Sequence, residues 1–401
     1  MEKTYIVSAR RTAIGSFNGT LSSVQAPEFG AKVVKQILAE TTIPSENVDE
    51  LIAGTVLTAG LGQGPARQVA LNAGLPITVP AYGIGMVCGS GMRAVMTASA
   101  SIKAGEDNVV IAGGMENMSI APYLIPSARQ GLRMGDKTII DHMTYEALTD
   151  AYEGYRMGIT AENVAAQFDI TREMQDEFAY SSQQKAIAAV DSGAFKDEIV
   201  PVTVKMRKDE KVFAQDEDFK RESTLEKLAT LRTSFKPDGT VTAGNASGIN
   251  DGAAFVMLAS EKAVNQYGLT PLVEIIATGQ GGVDPSVMGL GPVPAIGSAL
   301  ERVGLTLGDI DILELNEAFA AQSLGVIKQL SMQHGISQQE LLSRSNLNGG
   351  AIALGHPVGA SGCRILVTLV HLMKKRDAQY GLASLCIGGG MGTCIVLRNV
   401  R

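Results

Sequence analysis

Apolar residues along this chain follow two periods, and the order in which those periods appear is itself repeated. Residues 5–9 read as a strand, and 26–40 carry apolar side chains at the 3.6-residue spacing of an amphipathic helix. Residues 48–56 read as strand again. A glycine-rich turn around Cys88 then leads into an amphipathic stretch at 92–102 and an apolar strand at 109–114. The last third of the chain runs in the same order. Strand at 272–277, helix at 295–303 and strand at 310–315 precede a glycine-rich turn around His356, a helix at 364–373 and a strand at 382–387. Val-Val-Ile-Ala-Gly-Gly-Met (109–115) resembles Leu-Cys-Ile-Gly-Gly-Gly-Met (385–391), each an apolar strand ending in glycines and methionine. Cys88 and His356 occupy equivalent places, each about 20 to 30 residues before that strand.

A repeat of βαβ-type units predicts two similar α/β halves with mixed sheets. Sites in such folds collect at strand ends and helix starts, where the halves meet. The middle, from about 120 to 250, is irregular and more charged. It holds a helix at 171–191, just after Asp169, and a charged stretch at 205–227, and it ends in turn formers and small hydroxyls at 238–252. This reads as an insertion between strands of the first half, of the kind that becomes a lid or a ligand wall. The expected division is a first half of residues 1–119 and 250–270, an insertion at 120–249, and a second half at 271–401.

Composition narrows the function. At 401 residues, 45% hydrophobic and 19% charged, the chain fits two or three packed globular units. A formal net charge of -7 argues against nucleic acid as a main partner, while leaving room for a local basic patch facing a phosphorylated ligand. The four cysteines, at 88, 363, 386 and 394, have no CxxC spacing, which argues against structural zinc and against a disulfide framework. The first residues lack an apolar leader, no run of about 18 apolar residues appears, and the last three are not a Ser-Lys-Leu address. The expectation is a cytoplasmic protein with no membrane partner.

Two thiols and one imidazole among glycines are the parts of thiolate chemistry: a nucleophile, a base and an acid. Cys88 sits where strand gives way to helix, beside Gly89, Ser90 and Gly91. The helix dipole and free amides there are expected to lower its pKa. His356, among Gly349, Gly350, Gly355, Gly359 and Gly362, has the context to take a proton from Cys88 or donate to an oxyanion. Cys386, before Gly388, stays open on spacing alone between core packing and acid/base work. Asn316 follows a strand and either holds a catalytic water or caps a helix, and Glu317 orients its neighbours. Residues 113–119 shape the floor of the site. Cys363 and Cys394 read as packing, His142 and His334 as structural, and His371 as a helix-surface residue.

Val87-Cys88-Gly89-Ser90-Gly91, residues 113–119, Gly244-Asn245-Ala246-Ser247-Gly248, residues 316–320, residues 349–362 and residues 386–392 together resemble the thiolase family, in family order and over essentially the whole chain. The motifs are most similar to its short-chain biosynthetic type. The resemblance implies an α/β fold of two βαβαβ-type halves with mixed five-stranded sheets, layered αβαβα, plus an inserted loop domain that binds coenzyme A. It implies ping-pong acetyl transfer, two acetyl-CoA giving acetoacetyl-CoA and CoA, and the reverse thiolysis. In that scheme Cys88 is the nucleophile, His356 draws off its proton, and Cys386 moves the α-proton of the second acetyl-CoA. One oxyanion hole would use His356 and a water on Asn316; the other would use the amides of Cys88 and Gly388. The resemblance assigns Leu148, Met157, Phe235, Ala243, Ser247, Met288, Ala318 and Phe319 to the pantetheine, and Lys220 or Arg221 to the nucleotide phosphates. It implies no metal and no cofactor beyond the coenzyme A thioesters, and a homotetramer or dimer.

Two departures stand out. Arg156 replaces a histidine common beside that methionine, and being longer and permanently charged it reaches a phosphate or swings to solvent. Residues 331–345 look longer than usual and read as a surface insertion. A β-ketoacyl synthase shares the repeated fold but has a Cys-His-His arrangement, so Cys386 favours thiolase. A degradative 3-ketoacyl-CoA thiolase shares the chemistry on longer chains, and a non-enzymatic coenzyme A or lipid binder would not need all four of Cys88, Asn316, His356 and Cys386.

Overall fold

The computed structural model describes residues 2–400. The first half contributes β1 (Thr4–Thr12), β2 (Glu50–Gly54), β3 (Ala81–Ile84), β4 (Val109–Asn117) and β5 (Asn250–Ser260). The second half contributes β6 (Val273–Gly282), β7 (Ile312–Leu315), β8 (Tyr380–Ile387) and β9 (Met391–Asn399). The principal helices are α1 (Ala26–Glu40), α2 (Ser90–Ala104), α3 (Arg172–Asp191), α4 (Pro292–Val303), α5 (Ala320–His334) and α6 (Val358–Arg376).

The pairing pattern repeats. In the first half β2 runs parallel to both β3 and β4, β4 is antiparallel to β5, and β5 is antiparallel to β1. In the second half β7 runs parallel to β8, β8 is antiparallel to β9, and β9 is antiparallel to β6. The counterpart of β3 has shrunk to one parallel bridge between Leu313 and Ser345. Asn346, with φ +46°, leaves the extended region at once and ends the ladder there. The two halves are also continuous rather than separate: β1 pairs with β6 at Tyr5–Glu274 and Ile6–Val273. The expected pair of five-stranded sheets is thus five strands joined to four strands and a bridge.

Helices α2 and α6 fill the middle layer, packed on each other and on both halves of the sheet. Helix α6 is apolar around most of its circumference and is buried from Val358 to Val370, as a helix enclosed on all sides must be. Its close approach depends on glycine. A Cβ on Gly114 would lie 2.1 Å from the Gly359 carbonyl oxygen, and one on Gly91 2.8 Å from the same atom. Helix α1 covers the outer face of the first half, and α4 and α5 cover that of the second. Among the described residues no helix is long and apolar enough to cross a membrane.

The insertion departs from β4 after Asn117 and returns to β5 at Asn250, touching the sheet once between them, where Ile199–Val200 pairs in parallel with Arg11 and Thr12 at the end of β1. Thr171 caps α3 by accepting from the Met174 amide at 3.3 Å. The fully buried Arg11 guanidinium of β1 anchors the insertion, donating to Glu198 at 2.6 Å and to both Asp216 oxygens at 2.7 and 2.9 Å. Such buried charges require this complete pairing. Residues 331–345 contain a short helix, Gln338–Ser343, that is mostly exposed but sends Leu341 into the core. His371 is not a free surface residue: its Nε2 lies 2.9 Å from the Ala9 carbonyl oxygen and ties α6 to β1.

Candidate active site

Cys88 stands two residues before α2, in a turn whose preceding residue is strained. Val87 has φ +43°, a conformation a β-branched residue adopts only when its surroundings impose it. Ser90 supplies that constraint: its hydroxyl accepts from the Met86 amide at 2.8 Å and donates to the Val87 carbonyl at 2.7 Å. Gly89 is needed because a Cβ would sit 2.3 Å from Ile387 Cδ1. The turn holds Cys88 half-buried on a cavity wall. Burial pushes its thiol up to about 11, although the amides of Gly388 and of Cys88 itself hydrogen-bond the sulfur and pull the other way. The expected lowering at the helix start is therefore overturned: desolvation outweighs the amides.

His356 stands two residues before α6. Its amide donates to Asn250 Oδ1 at 2.9 Å, and its Nδ1 lies 2.6 Å from Ser361 Oγ. Burial, then the positive charge of Arg364, pushes the imidazole down to about 4, so the ring is neutral at physiological pH. Cys386 is buried near the end of β8; desolvation raises its thiol pKa, and the proximity of Cys88 adds to that.

Asn316 is not a helix cap. Helix α5 begins at Ala320 with Phe319 before it, and the Ala320 amide donates to the Asn245 carbonyl at 2.8 Å. The Asn316 amide donates to the Ser384 carbonyl at 3.0 Å, while both polar atoms of its buried side chain have no protein partner. An asparagine left this way is equipped to hold a water. Glu317 accepts from Ser182 Oγ at 2.6 Å, Asn346 Nδ2 at 2.8 Å and the Ile352 amide at 3.3 Å, which fixes the insertion against the loop leading to His356.

Cys88, His356, Cys386 and Gly388 line one cavity of about 600 Å³, together with Leu148, Arg156, Met157, Phe235, Ala243, Ser247, Met288, Ala318 and Phe319. The Phe235 and Phe319 rings meet edge to face at 6.1 Å. The Ser247 amide donates to the Ala318 carbonyl at 3.0 Å, pinning the end of the insertion to the second half. Apolar walls with a few polar groups suit a long flexible ligand. Among the described residues no three His, Cys, Asp or Glu side chains gather as a metal site would need.

Residues 4–262 match the family described as "Thiolase, N-terminal domain", and 269–399 match "Thiolase, C-terminal domain". This chain belongs to the thiolase family. It is 54% identical to an acetyl-CoA acetyltransferase of Chromobacterium violaceum over 98% of this chain and 99% of that one. It is likewise 54% identical to the acetyl-CoA acetyltransferase of Escherichia coli K12, over the full length of both. The solved structure of acetyl-CoA acetyltransferase from Syntrophomonas wolfei, 40% identical, superposes with a TM-score of 0.97 over 100% of both chains.

Within this thiolase, two of the expected coenzyme A contacts stand apart from the cavity. Lys220 lies 3.2 Å from Asp218, and Arg221 pairs with Asp191 at 2.7 and 3.1 Å and stacks over Phe219; neither lines the cavity. Arg156 does line it, exposed, with Nη1 3.4 Å from the Thr144 carbonyl oxygen and from Thr149 Oγ1. Sequence reasoning missed Asn250, Ser361 and Glu116. The Glu116 carboxylate accepts from the amides of Val56, Leu57 and Gly359 at 2.9 to 3.1 Å and from Thr55 Oγ1 at 3.2 Å. It thereby locks the first turn of α6 to the first half. The only signal for it was its place in the segment 113–119.

Proposed function

We propose that this thiolase is an acetyl-CoA C-acetyltransferase, an acyltransferase that condenses two acetyl-CoA into acetoacetyl-CoA and CoA and runs the reverse thiolysis. The observation that carries the reading is the convergence of two thiols, Cys88 and Cys386, the neutral imidazole of His356 and the Gly388 backbone on one apolar cavity. The names of relatives 54% identical over nearly the whole chain support it.

In this reading Cys88 attacks the thioester carbonyl of the first acetyl-CoA as its proton passes to His356. Burial holds the thiol near 11 and the imidazole near 4, so both partners rest uncharged and the proton moves as the sulfur–carbon bond forms. The amides of Cys88 and Gly388 receive the oxyanion of the tetrahedral intermediate. The coenzyme A thiolate leaves and takes the Cys386 proton. The Cys386 thiolate then removes the α-proton of the second acetyl-CoA, whose enolate oxygen is met by His356 and the Asn316 water. The enolate carbon attacks the acetyl group on Cys88, and the Cys88 sulfur departs and recovers its proton from His356.

Coenzyme A thioesters are the substrates, and the reading needs no further cofactor or metal. It extends to a cytoplasmic homotetramer or dimer. The cytoplasm is supported by four free thiols, which a reducing compartment preserves. Assembly is supported by apolar side chains left in solvent on the segment around Tyr123–Leu124 and Ile140–Asp141, with Met134 99% exposed. The test is thiolysis of acetoacetyl-CoA against a longer 3-ketoacyl-CoA. Faster turnover of the four-carbon substrate is expected; preference for the longer chain would refute the short-chain assignment.

A further inference from the structure

The group behind His356 is a hydroxyl. Ser361, on the second turn of α6 and 1% exposed, has its Oγ 2.6 Å from His356 Nδ1 and 3.0 Å from the Pro357 carbonyl oxygen. A hydroxyl carries one hydrogen and two acceptor sites. A carbonyl only accepts, and the carbonyl four residues back is where a helical serine commonly places its hydrogen. With that hydrogen on Pro357, a lone pair of Oγ faces the ring, and Nδ1 must carry the ring's proton. A neutral imidazole has a single N–H, so Nε2 is left with a free lone pair. His356 lines the cavity that Cys88 also lines.

We propose that Ser361 is a positioning residue that fixes His356 as the Nδ1–H tautomer and so keeps Nε2 as the proton acceptor for the Cys88 thiol. The use made of Nε2 rests on the thiolase reaction proposed above. In the step concerned the Cys88 S–H bond breaks and an Nε2–H bond forms. The ring becomes an imidazolium whose Nδ1–H still points at the Ser361 lone pair, and the same proton returns to sulfur when Cys88 is released. A hydroxyl orients the ring without adding charge. A buried carboxylate in its place would favour the imidazolium and raise the resting pKa, removing the acceptor before substrate arrives.

The chain has four histidines, which makes ring-nitrogen NMR of isotopically labelled histidine tractable. The parent at neutral pH is expected to show a protonated Nδ1 and an unprotonated Nε2 for His356. A spectrum with the hydrogen on Nε2 overturns the proposal. Ser361→Ala is expected to mix the tautomers and to slow acetylation by acetyl-CoA about 10²-fold, the scale of general-base catalysis, with KM within about twofold. An unchanged spectrum and rate in that variant would also overturn it. Ser361→Thr keeps a hydroxyl and is expected to retain the parent spectrum and most of the rate. A folded threonine variant as slow as the alanine one counts against the hydroxyl. If the alanine variant fails to fold, the parent spectrum and the threonine variant still decide. If the parent transfers no acetyl group at all, the proposed function fails, while the spectrum still settles the tautomer.

Discussion

The two halves of this molecule repeat a position and diverge in chemistry. Cys88 stands two residues before α2 and His356 two residues before α6, the equivalent helix of the other half. Both helices start at the cavity because the sheet topology in front of them is the same. The strands that follow differ. After β4 the chain leaves the sheet into the long insertion that walls the cavity, whereas after β8 it reverses through Gly389 and Gly390, both at positive φ, straight into β9. That tight reversal sets Cys386 next to Cys88 and aims the Gly388 amide at the Cys88 sulfur. The repeat supplies two helix starts. The divergence of one strand exit supplied a ligand wall on one side and a second thiol on the other.

The largest expected effect removes one member of the repeated pair. Cys88→Ser is expected to reduce acetyl-enzyme formation by about 10³-fold or more, read by intact-protein mass after mixing with acetyl-CoA. Full acetylation of that variant would move the nucleophile elsewhere and empty the comparison of the two turns. Next comes the thiol that has no counterpart in the first half. Cys386→Ala is expected to acetylate from acetyl-CoA but to lose condensation by about 10²-fold or more. Acetylation lost with condensation intact would reverse the two roles.

A third prediction tests how closely the halves must approach. A Cβ on Gly359 would lie 2.6 Å from Glu116 Oε2, 2.8 Å from the Met115 carbonyl oxygen and 2.9 Å from Thr55 Cα. Two of those three atoms are backbone, so Gly359→Ala is expected to cost about 1 to 3 kcal/mol of stability in denaturant unfolding. Gly297 in α4 is the control, since a Cβ there meets nothing within 4 Å. Gly297→Ala is expected to be neutral or to stabilise by up to about 1 kcal/mol. Equal costs at the two sites would mean that the junction between the halves tolerates more than its geometry allows.

What could be read in the sequence follows the same division. Helix α1 has the bounds that periodicity predicts, and the main strands and helices of both halves lie where the repeat puts them, because each buries a regular face. Cys88 and His356 were legible as chemistry because glycines surround them, whereas Cys386 stayed open on its spacing and took its role from the family resemblance. Ser361, Asn250 and Glu116 were not, because a serine in a helix or an acid on a strand looks ordinary until the partner is known. The link that gives each its role joins residues five, 106 or 243 positions apart. Lys220 and Arg221, assigned to the phosphates by the family resemblance alone, are exposed and sit beside Asp218 and Asp191, a pairing that joins residues two and 30 positions apart and that composition does not reveal. The sequence also suggested a lowered Cys88 pKa, since a helix start is visible in it and the depth of desolvation is not.

The smallest expected signal follows from that last reversal and distinguishes the two turns electrostatically. Cys88 is raised from 9.0 to about 11 and His356 is lowered from 6.5 to about 4, so between those limits both hold their uncharged forms. At pH 8 the thiolate fraction of Cys88 in the free enzyme is then only about one part in a thousand. A thiolate–imidazolium pair, the arrangement that activates many catalytic cysteines, would instead show a charged sulfur across the neutral range. In the Cys386→Ala background, ultraviolet thiolate absorbance from Cys88 is expected to be absent at pH 8, and alkylation by iodoacetamide to rise about tenfold per pH unit from neutral pH to about pH 10. A plateau of alkylation below pH 8 would mean that the amides of Gly388 and Cys88 overcome burial after all. In that case Cys88 would be activated before substrate binds, and His356 would serve mainly as the donor to the enolate oxygen.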